Sequence, residues 1–491
     1  MPSADIGIIG AGIGGLVCAA KLAKEGFEVA IFEKESEPGG YCRSFTRDGF
    51  TFDACVDSIG EFGPGGVITD ILSDLGINVE LVPLNPVRFN VYPDHRVAIP
   101  PDSLEYQKIL KDLFPDNSLQ IETLFKLMNS IYRVSMNSIL RKRDFSSEDL
   151  KAALPLKAKT VSEVMVDVGL RHPLTSVLSN YCTFLGLPPS DLSFWSLSNL
   201  LVSYLKGAVR IKGGIQNLAR GLAERIEGFG GRILYLNKID HIGIINSHAV
   251  YIMNSSGETF DIGRHLVSNI DVLDLFQKRI DKRYLLSNFC SKLKRLNISS
   301  SFFIVYIGTG FDFRKFSEYS SIGYFPTYNM ENVCFSYTGE NSIGELNLGI
   351  AVPSIDDPDL APPGKNTMII HLPVGTKNPA LMEKEKGKIA DNLIRQCEGL
   401  FPGISKKIDT LAIATPLTLE RISGNHLGSA YGWEHSPARM RLMNEINFPF
   451  KNMSIVGHWA RLGGGVIPAM LTGYLAARKI VERENGTAGK D

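Results

Sequence analysis

A glycine-rich segment near the start of the chain has the residue types and the spacing that bind a phosphate group. The run Gly10-Ala11-Gly12-Ile13-Gly14-Gly15 follows a short apolar stretch and precedes residues with helical spacing. Between a strand and a helix, the first glycine permits a tight turn, the second lets the main chain approach a pyrophosphate, and the last allows close packing. Amide groups at the start of the helix then face the anion. We therefore predict a dinucleotide site at Gly10, Gly12, Gly14 and Gly15.

The acidic residue Glu33 indicates which dinucleotides fit this site. Glu33 follows a second apolar run, residues 27–32, and Lys34 comes next. A carboxylate at this point accepts hydrogen bonds from the adenosine ribose hydroxyls and disfavours a phosphate there. The sequence therefore argues against NADP. A glycine turn that serves only packing is the alternative interpretation of the segment.

A second glycine pair follows directly, in the run Gly39-Gly40-Tyr41-Cys42-Arg43-Ser44. Together with the first glycine turn and the pair Glu33-Lys34, this run resembles the extended N-terminal signature of the FAD-dependent amine oxidase and carotenoid desaturase superfamily. The resemblance implies that the cofactor is FAD, with Gly40 and Arg43 near its diphosphate and flavin. A planar guanidinium that bridges phosphate oxygens agrees with this role. A solvated loop charge is the alternative interpretation of Arg43.

The middle of the chain carries a further segment of this kind. Gly213-Gly214 precede a helical stretch, and apolar strands follow over residues 232–245. This order is similar to the second FAD segment of the superfamily. The resemblance implies that the backbone of Ile239 contacts the adenine of FAD.

The last glycine-rich segment lies near the end of the chain. A predicted strand ends at Gly457, and the run Gly463-Gly464-Gly465 then opens a helix. The segment is similar to the C-terminal FAD motif of the superfamily, except that Leu462 stands where proline is usual. Bare amides at the start of a helix can face flavin oxygens or phosphates and stabilise negative charge. The predicted FAD-binding residues of this segment are Gly457, Gly464, Gly465, Val466 and Ile467.

A narrower resemblance concerns the substrate. Within residues 347–364, Ser354, the pair Asp357-Pro358 and the run Ala361-Pro362-Pro363-Gly364 look like a strand and turn of carotenoid desaturases. Monoamine oxidases do not usually carry this segment. The chain therefore resembles the FAD-dependent phytoene desaturase, carotenoid isomerase and retinol saturase-like branch of the superfamily. The resemblance implies a hydrophobic polyene or a related chain as the substrate.

Side chains that would handle a proton are few. Tyr431, Glu434 and His435 lie in a glycine-rich bend, and His458 follows the predicted C-terminal strand. Glu434 would take a proton or serve as a structural hydrogen-bonding group, and we predict His458 as a polar flavin contact rather than a base. No Ser/His/Asp arrangement and no metal-ligand spacing stand out, so no metal is predicted. The catalytic candidates are Tyr431, Glu434 and His458.

These motifs define the expected architecture. At 491 residues the chain is too long for one core. We predict an α/β fold in which an interrupted Rossmann-like FAD-binding domain accompanies a second, substrate domain made of a mixed β-sheet and a helical cap. The predicted FAD-binding parts are residues 1–95, 207–282 and 408–491. The predicted substrate parts are the cap, residues 96–206, and the sheet, residues 283–407.

The predicted helical cap, residues 96–206, contains an aromatic-rich helix. Three interpretations of this region are open. Phe194, Trp195 and Tyr204 lie on this helix together with several leucines. The stretch would cap an apolar substrate tunnel, pack as ordinary core, or rest on a lipid surface as interfacial helices do. We favour the substrate-facing cap and keep peripheral membrane contact as an open alternative.

The composition argues against several other functions. The 52 basic and 52 acidic residues leave no net charge, which gives no support for a nucleic-acid partner. The seven cysteines are scattered without a CxxC pair, so neither a disulfide framework nor a zinc site is expected. No apolar run is long enough to predict a membrane-spanning helix. The predicted location is the cytoplasm, with attachment to a membrane surface left open.

Three functions compete at this point. The first is an FAD-dependent oxidoreductase that introduces, saturates or isomerises a carbon–carbon double bond in a carotenoid-, retinoid- or isoprenoid-like chain, by hydride transfer to or from flavin N5. The second is an FAD-dependent amine or amino-acid oxidase. The third is a non-catalytic prenyl-binding protein similar to the Rab GDP-dissociation inhibitors, against which the intact Gly12, Glu33 and Arg43 argue. The sequence leaves the substrate, the direction of reaction, the electron acceptor and the oligomeric state open.

Overall fold

The first glycine-rich turn joins a buried strand to a buried helix, as the sequence predicts. In the computed structural model, which describes residues 3–140, 145–339 and 344–486, the strand is Ser3–Ile9 and the helix is Ile13–Lys24. Gly10 between them takes φ +95°, a left-handed conformation that favours glycine. Residues 13–20 of the helix are all buried. The turn is therefore held rigidly between two core elements.

The strands occur in two groups, separated by a helical region. In chain order they are β1 (Ser3–Ile9), β2 (Val29–Phe32), β3 (Ser44–Arg47), β4 (Phe50–Asp53), β5 (Leu81–Leu84), β6 (Arg88–Val91), β7 (Arg96–Ile99), β8 (Ala208–Ile211), β9 (Arg232–Leu234), β10 (Ile239–Ile245), β11 (His248–Asn254), β12 (Thr259–Ser268), β13 (Ser301–Thr309), β14 (Ser321–Tyr324), β15 (Leu348–Ala351), β16 (Asn366–Val374), β17 (Ile408–Ala414) and β18 (Met453–Ile455).

The α-helices follow the glycine-rich motifs and fill the region between β7 and β8. In chain order they are α1 (Ile13–Lys24), α2 (Val67–Leu75), α3 (Ser103–Leu113), α4 (Ser118–Ile139), α5 (Ser147–Ala153), α6 (Val161–Val168), α7 (Leu174–Leu178), α8 (Cys182–Leu185), α9 (Phe194–Leu205), α10 (Gln216–Gly228), α11 (Val272–Asp274), α12 (Ser287–Leu293), α13 (Pro379–Lys384), α14 (Lys386–Cys397), α15 (Pro416–Ser423), α16 (Pro437–Asn444) and α17 (Val466–Glu484).

The first sheet has a parallel centre built from three separate parts of the chain. Its parallel strands stand in the order β9, β2, β1, β12 and β18. The antiparallel strands β10 and β11 extend the sheet beside β12. Parallel strands with a glycine turn at the end of the first one form the dinucleotide-binding architecture. The prediction of an interrupted Rossmann-like domain is confirmed.

The first and last helices pack together on this sheet. Helix α1 contacts both α17 and α10. A Cβ at Gly14 of α1 would lie 2.8 Å from the amide nitrogen of Gly457, in the loop before α17. The N-terminal and C-terminal glycine segments are therefore neighbours in space.

The second sheet is mostly antiparallel and has the strand order β17, β13, β16, β15, β14, β6, β7. Both strands of the hairpin β6–β7 belong to this sheet. The domain division predicted at residue 95 falls between these two strands and therefore separates parts of one sheet. Strand β17 also belongs to it, although the division predicted before residue 408 assigns it to the FAD-binding part. The sequence shows a hairpin or a strand, but contacts between distant residues decide which sheet it joins.

Helices α3 to α9 form a helical layer packed on this second sheet. Helices and turns alone fill the described residues between β7 and β8. Capping boxes at Ser146 and Thr160 begin α5 and α6. The apolar faces of the layer share one core with Val97 and Ile99 of β7 and with Phe325. We refer to residues 103–205 as the cap.

The seven cysteines all lie in the described residues and are unpaired. Over those same residues, no helix combines the length and the apolar character needed to cross a bilayer. The described part of the chain also contains no group of three or more His, Cys, Asp or Glu side chains placed to hold a metal ion.

Candidate functional site

A large cavity joins the first sheet, the second sheet and the cap. Its volume is about 940 Å³. One part, around Gly12, Glu33 and Gly465, lies at the carboxyl ends of the parallel strands, where doubly wound sheets bind their ligands. We call this part the nucleotide end. The other part, around Phe184 and Ile350, lies between the cap and the second sheet, and we call it the apolar end.

The first glycine turn lines the nucleotide end as predicted. Gly10, Gly12 and Gly14 border the cavity, whereas Gly15 packs behind it. A Cβ at Gly12 would lie 2.6 Å from the side-chain nitrogen of Asn269, and a Cβ at Gly15 would overlap the carbonyl oxygen of Gly10. A larger residue would therefore force a shift at these positions. The main chain stays bare where a pyrophosphate would approach.

Glu33 follows β2 and faces this turn. Its Oε2 accepts a hydrogen bond from the Ala11 amide at 2.6 Å, and its Oε1 accepts one from the Glu35 amide at 2.9 Å. Burial raises the pKa of Glu33, and the two amide donors only partly offset this effect. Glu33 also borders the cavity. Because a carboxylate has about four lone-pair sites, it can still accept the ribose hydroxyls that the sequence predicts.

The two predicted basic residues lie in different environments. Lys34 lines the cavity, and its Nζ donates a hydrogen bond to the carbonyl oxygen of Arg421 at 3.1 Å. Arg43 lies outside the cavity lining, and its Nη1 is 3.9 Å from Oε2 of Glu35. Arg43 therefore has an acidic neighbour, and its contact with the diphosphate or the flavin stays a prediction.

Gly40 and Ile239 complete the nucleotide end from two other segments of the chain. Both line the cavity. A Cβ at Gly40 would lie 3.3 Å from Cα of Gly12, so the two loops approach closely. The carbonyl oxygen of Ile239 accepts a hydrogen bond from Nη1 of Arg279 at 2.5 Å. This bond fixes the backbone of Ile239 at the wall, and its contact with adenine stays a prediction.

The last glycine segment reaches the same end of the cavity. Helix α17 begins at Val466, and Gly465 before it takes φ +107°. A Cβ at Gly464 would overlap the backbone of Tyr431. The start of this long helix therefore borders the cavity with its first amides, as an anion site requires. All the predicted residues of this segment line the cavity: Gly457, Gly464, Gly465, Val466 and Ile467.

Tyr431 lies between the two ends of the cavity. Its backbone packs on Gly464, and its ring centroid is 6.2 Å from that of Phe302 in the second sheet. Its other face meets His435, at 6.0 Å between ring centroids. Burial raises the pKa of Tyr431. Its hydroxyl therefore stays protonated at neutral pH and can act as a donor.

His458 also lines the cavity and is held by two neighbours. Its Nε2 lies 3.1 Å from Oδ1 of Asn425, and its ring packs edge-on against Tyr41 at 5.8 Å. Burial lowers the pKa of His458 to about 4. The imidazole is therefore neutral at physiological pH, which suits a polar contact better than a base.

Glu434 lies away from this cavity. Its Oε1 accepts hydrogen bonds from Oγ of Ser436 at 2.7 Å and from Nδ2 of Asn297 at 3.2 Å. It borders a separate, smaller cavity together with Arg295. Tyr431 and His458 line the large cavity, but the side chain of Glu434 points away from it. The sequence pattern could not show this direction. These contacts fit the structural alternative, and we do not retain Glu434 as a proton acceptor.

The comparison with known protein families now identifies the chain. The sequence model of the family of flavin-containing amine oxidoreductases matches residues 13–481. The chain belongs to this family. The predictions of FAD as the cofactor and of an FAD-dependent oxidoreductase are confirmed.

The alignments of this flavoprotein with three relatives cover most of both chains. The inactive all-trans-retinol 13,14-reductase of Danio rerio is 24% identical over 530 residues, which cover 98% of this chain and 86% of the relative. The chloroplastic prolycopene isomerase of Daucus carota is 24% identical over 518 residues, with coverages of 97% and 80%. The 4,4'-diapophytoene desaturase (4,4'-diaponeurosporene-forming) of Staphylococcus aureus strain Newman is 25% identical over 512 residues, with coverages of 95% and 96%. The predicted resemblance to this branch is confirmed.

Solved structures share the fold of this flavoprotein. An oxidoreductase from Methanosarcina mazei has a TM-score of 0.68 at 18% identity and covers 96% of this chain and 99% of its own. Wild-type putrescine oxidase bound to putrescine has a TM-score of 0.67 at 15% identity, with coverages of 98% and 99%. Identities this low show the common fold alone.

The apolar end of the flavoprotein is formed by the cap and the second sheet. Helices α4, α8 and α9 contribute one wall, and strands β13, β15 and β16 contribute the opposite wall. Phe184 and Leu200 of the cap face this space with Phe302 and Ile350 of the sheet. The cap therefore borders the cavity, as its substrate-facing interpretation requires.

The sequence does not predict two polar residues that lie at the apolar end. Arg88 on β6 is only 3% exposed and lines the cavity. His371 on β16 also lines it, and burial lowers its pKa to about 4. A single arginine in a hairpin and a single histidine in a strand carry no sequence signal. Only the packing of β6 and β16 on either side of β14 and β15 brings them to one wall.

Proposed function

We propose that this flavoprotein introduces, saturates or isomerises a carbon–carbon double bond in a long hydrophobic molecule. The observation that carries the proposal is the continuity of the cavity, because the nucleotide end and the apolar end belong to one space. A chain bound between the cap and the second sheet can therefore place one of its carbons beside the flavin. Pockets that bind apolar ligands have this composition of apolar walls and few polar groups.

The names of the relatives support this substrate class. One is a reductase named for retinol, one is an isomerase named for prolycopene, and one is a desaturase named for 4,4'-diapophytoene. Their names cover reduction, isomerisation and desaturation. We therefore infer a carotenoid-, retinoid- or isoprenoid-like substrate and leave the direction of reaction to experiment.

The chain's own residues bind the cofactor and shape the reaction space. FAD, when bound, supplies the acceptance or donation of a hydride. Glu33 and the bare amides of the first glycine turn hold its nucleotide half. The first amides of α17 stabilise negative charge near the flavin. Phe184 and Phe302 line the apolar end and keep water from the reacting carbon.

We propose Tyr431 and His458 as the polar residues that act beside the flavin. Burial raises the pKa of Tyr431, so its hydroxyl is a weak acid that keeps its proton and can donate a hydrogen bond. His458 is neutral and is oriented by Asn425. We therefore assign a hydrogen-bond-donating role to Tyr431 and a positioning role to His458.

An amine oxidase is the weaker alternative. The fold is shared with putrescine oxidase, but the apolar end of this cavity holds the buried guanidinium of Arg88. An ammonium group bound there would be repelled by this charge, and the repulsion is strong in a medium of low dielectric constant. The Asp57 carboxylate also lines this cavity, so the stronger argument is that the three relatives are named for retinol or for carotenoid chains and not for amines.

Product analysis by mass spectrometry tests the proposal. The purified holoprotein is incubated with polyenes, retinol, long-chain lipids, amines and amino acids, and the apoprotein is the control. We expect a polyene or a lipid product that differs by two hydrogens, or an isomer of unchanged mass and altered retention. Products formed only from amines or amino acids would contradict the proposed substrate class.

We also propose that the cap contacts a membrane surface from which such a substrate is taken. Leu104, Leu119 and Val166 of the cap are more than two-thirds exposed, at 77%, 71% and 75%. Apolar side chains on helices can enter the headgroup region of a lipid surface. Flotation with neutral liposomes tests this, and a protein that stays entirely in the aqueous fraction would contradict it.

A further inference from the structure

Arg88 is a buried cation without an ion pair. Its side chain is 3% exposed, and its Nε donates a hydrogen bond to Oδ1 of Asn90 at 3.1 Å. Its Cζ lies 4.7 Å from the ring centroid of Phe184 in the cap. Within residues 3–140, 145–339 and 344–486, its two terminal nitrogens have no hydrogen-bond partner and no carboxylate pairs with it. A buried guanidinium without acceptors for its N–H groups destabilises the folded protein, unless a bound ligand supplies these acceptors.

The acidic residue whose charge acts on Arg88, Asp57, forms its ion pair with another arginine. Asp57 pairs with Arg210, at 2.7 Å between Oδ1 and Nη2. Arg210 also binds Asp356 at 2.8 Å. Burial alone would raise the pKa of Asp57, but the charges of Arg210, His371 and Arg88 and the hydrogen bond from Arg210 together outweigh it, and the pKa is lowered. Asp57 and Asp356 together balance the charges of Arg210 and Arg88, but both carboxylates bond to Arg210. The terminal N–H groups of Arg88 are therefore left without an acceptor among the described residues.

The wall beside Arg88 is open because a glycine stands there. A Cβ at Gly349 on β15 would lie 3.8 Å from Nη2 of Arg88 and 3.5 Å from Cβ of His371. The Nε2 of His371 is buried and has no hydrogen-bond partner among the described residues. The space in front of Gly349 is therefore flanked by a free guanidinium on one side and an unpartnered imidazole on the other.

We propose that Arg88, with His371 beside it, binds the carboxylate of a long apolar acid. A guanidinium presents paired donors that match the two oxygens of a carboxylate. The neighbouring Asp57 carboxylate repels every anion, and it repels a phosphate or a diphosphate more strongly than a carboxylate, which carries less negative charge. The apolar walls of the cavity hold the chain of the acid, and its far carbons extend toward the nucleotide end. This inference rests on the proposed function only for the statement that the acid is the substrate.

A fluorescent pair of ligands tests the anchor directly. The probes are cis-parinaric acid, a conjugated fatty acid, and its methyl ester, and each is titrated into the FAD-loaded protein. We expect the acid to bind at least about tenfold more tightly than the ester, because a hydrogen-bonded charge pair adds to the apolar contacts. Equal affinity of the two probes for the wild-type protein would overturn the proposal.

Variants assign the preference to Arg88. Arg88→Met should reduce the affinity for the acid to that for the ester and leave the ester unchanged, whereas Arg88→Lys should keep part of the preference. Arg96→Met is the matched control, since Arg96 lies on the partner strand β7 and is exposed. A preference that survives in Arg88→Met would contradict the anchor. The flavin absorbance of each variant reports that the fold and FAD are retained.

A second variant covers the case in which Arg88→Met does not fold. Gly349→Ala leaves the guanidinium in place and adds a methyl group at ordinary contact distance from Arg88 and His371. It should weaken the acid several-fold and leave the ester unchanged, and an unchanged acid affinity would count against the anchor. The binding assay needs no turnover, so the redox proposal can fail while the anchor stands. Conversely, neutral polyenes converted equally by the wild type and by Arg88→Met would support the redox proposal without the anchor.

Discussion

Gly14 in the first turn of α1 and Gly473 in α17 touch backbone to backbone. A Cβ on Gly473 would overlap the carbonyl oxygen of Gly14. Both helices begin at the nucleotide end of the cavity, where their preceding glycines form the wall. The contact between the two helices therefore sets the distance between the glycine segments that bind FAD.

Gly473→Ala should disturb this contact. We expect a loss of about 1–3 kcal/mol in unfolding free energy from overpacking, with weaker FAD binding because the two glycine segments move apart. Thermal unfolding and FAD titration of the apoprotein measure both effects. Gly228→Ala is the control, since Gly228 ends α10 and a Cβ there meets nothing within 4 Å. Equal losses in the two variants would show that the contact has no special role.

Glu33→Gln should weaken FAD while preserving the shape of the site. Hydrogen bonds that involve a charged group contribute about 1.5–3 kcal/mol, so the dissociation constant of FAD should rise by about ten- to a hundredfold. Quenching of FAD fluorescence on titration into the apoprotein measures this constant. Glu37→Gln is the control, because Glu37 is exposed and pairs with Arg220 at 3.3 Å. An unchanged dissociation constant in Glu33→Gln would refute the ribose role.

Tyr431→Phe should lower turnover and spare binding. It removes a hydroxyl that burial keeps protonated, because burial raises the pKa of Tyr431. We expect a loss of about tenfold in kcat, since a hydrogen bond contributes about 0.5–1.5 kcal/mol, with FAD content unchanged. Tyr474→Phe is the control, since its hydroxyl binds Asp74 at 2.9 Å and lies outside the cavity lining. A variant with wild-type kcat would remove Tyr431 from the mechanism.

His265→Gln should change how stability depends on pH. Burial lowers the pKa of His265 from 6.5 to about 4, and the charges of Arg483 and Lys479 add to the effect. The unfolded chain takes up this proton near pH 6.5 while the folded chain does not, so wild-type stability falls as the pH drops toward 4. The variant lacks this loss. Its stability relative to the wild type should therefore rise by about 1.4 kcal/mol per pH unit below 6.5.

Urea unfolding of both proteins at neutral pH and in mild acid measures this difference. The comparison cancels the titration of the buried carboxyl groups, which both proteins share. His265 binds Ser454 at 2.9 Å and lies outside the cavity lining, so FAD binding should not change. A stability difference that is the same at both pH values would contradict the burial effect.

The features that the sequence predicts best are local. The spacing of residues 67–75 predicts a helix that stops at Gly76, and α2 has these bounds because Gly76 takes φ +67° and ends the helix. The glycine turn before α1 is predicted for the same reason, since a few consecutive residues determine its conformation. Glu33 follows from its position at the end of the next strand.

The features that the sequence does not predict depend on contacts between distant residues. Arg43 lies in the predicted motif, and the residue next to it in space is Glu35, 3.9 Å away, which the sequence pattern does not indicate. Glu434 lies in the predicted bend, but it accepts a hydrogen bond from Asn297 and lies outside the lining of the large cavity. Arg88 has no motif, and its place at the wall comes from the pairing of β6 with β14. Strand pairing and side-chain direction, rather than residue type, decide which of these residues border the cavity.

An anaerobic spectral titration tests the central claim, that one cavity holds FAD beside an apolar chain. The account predicts that each protein chain binds one FAD. We also expect that a long polyene, added without oxygen, bleaches the oxidised flavin, reoxidises flavin that dithionite has reduced, or is converted to an isomer with no net change in either spectrum. Amines should change neither spectrum. A protein that takes up no FAD, or a flavin that responds only to amines, would contradict the account.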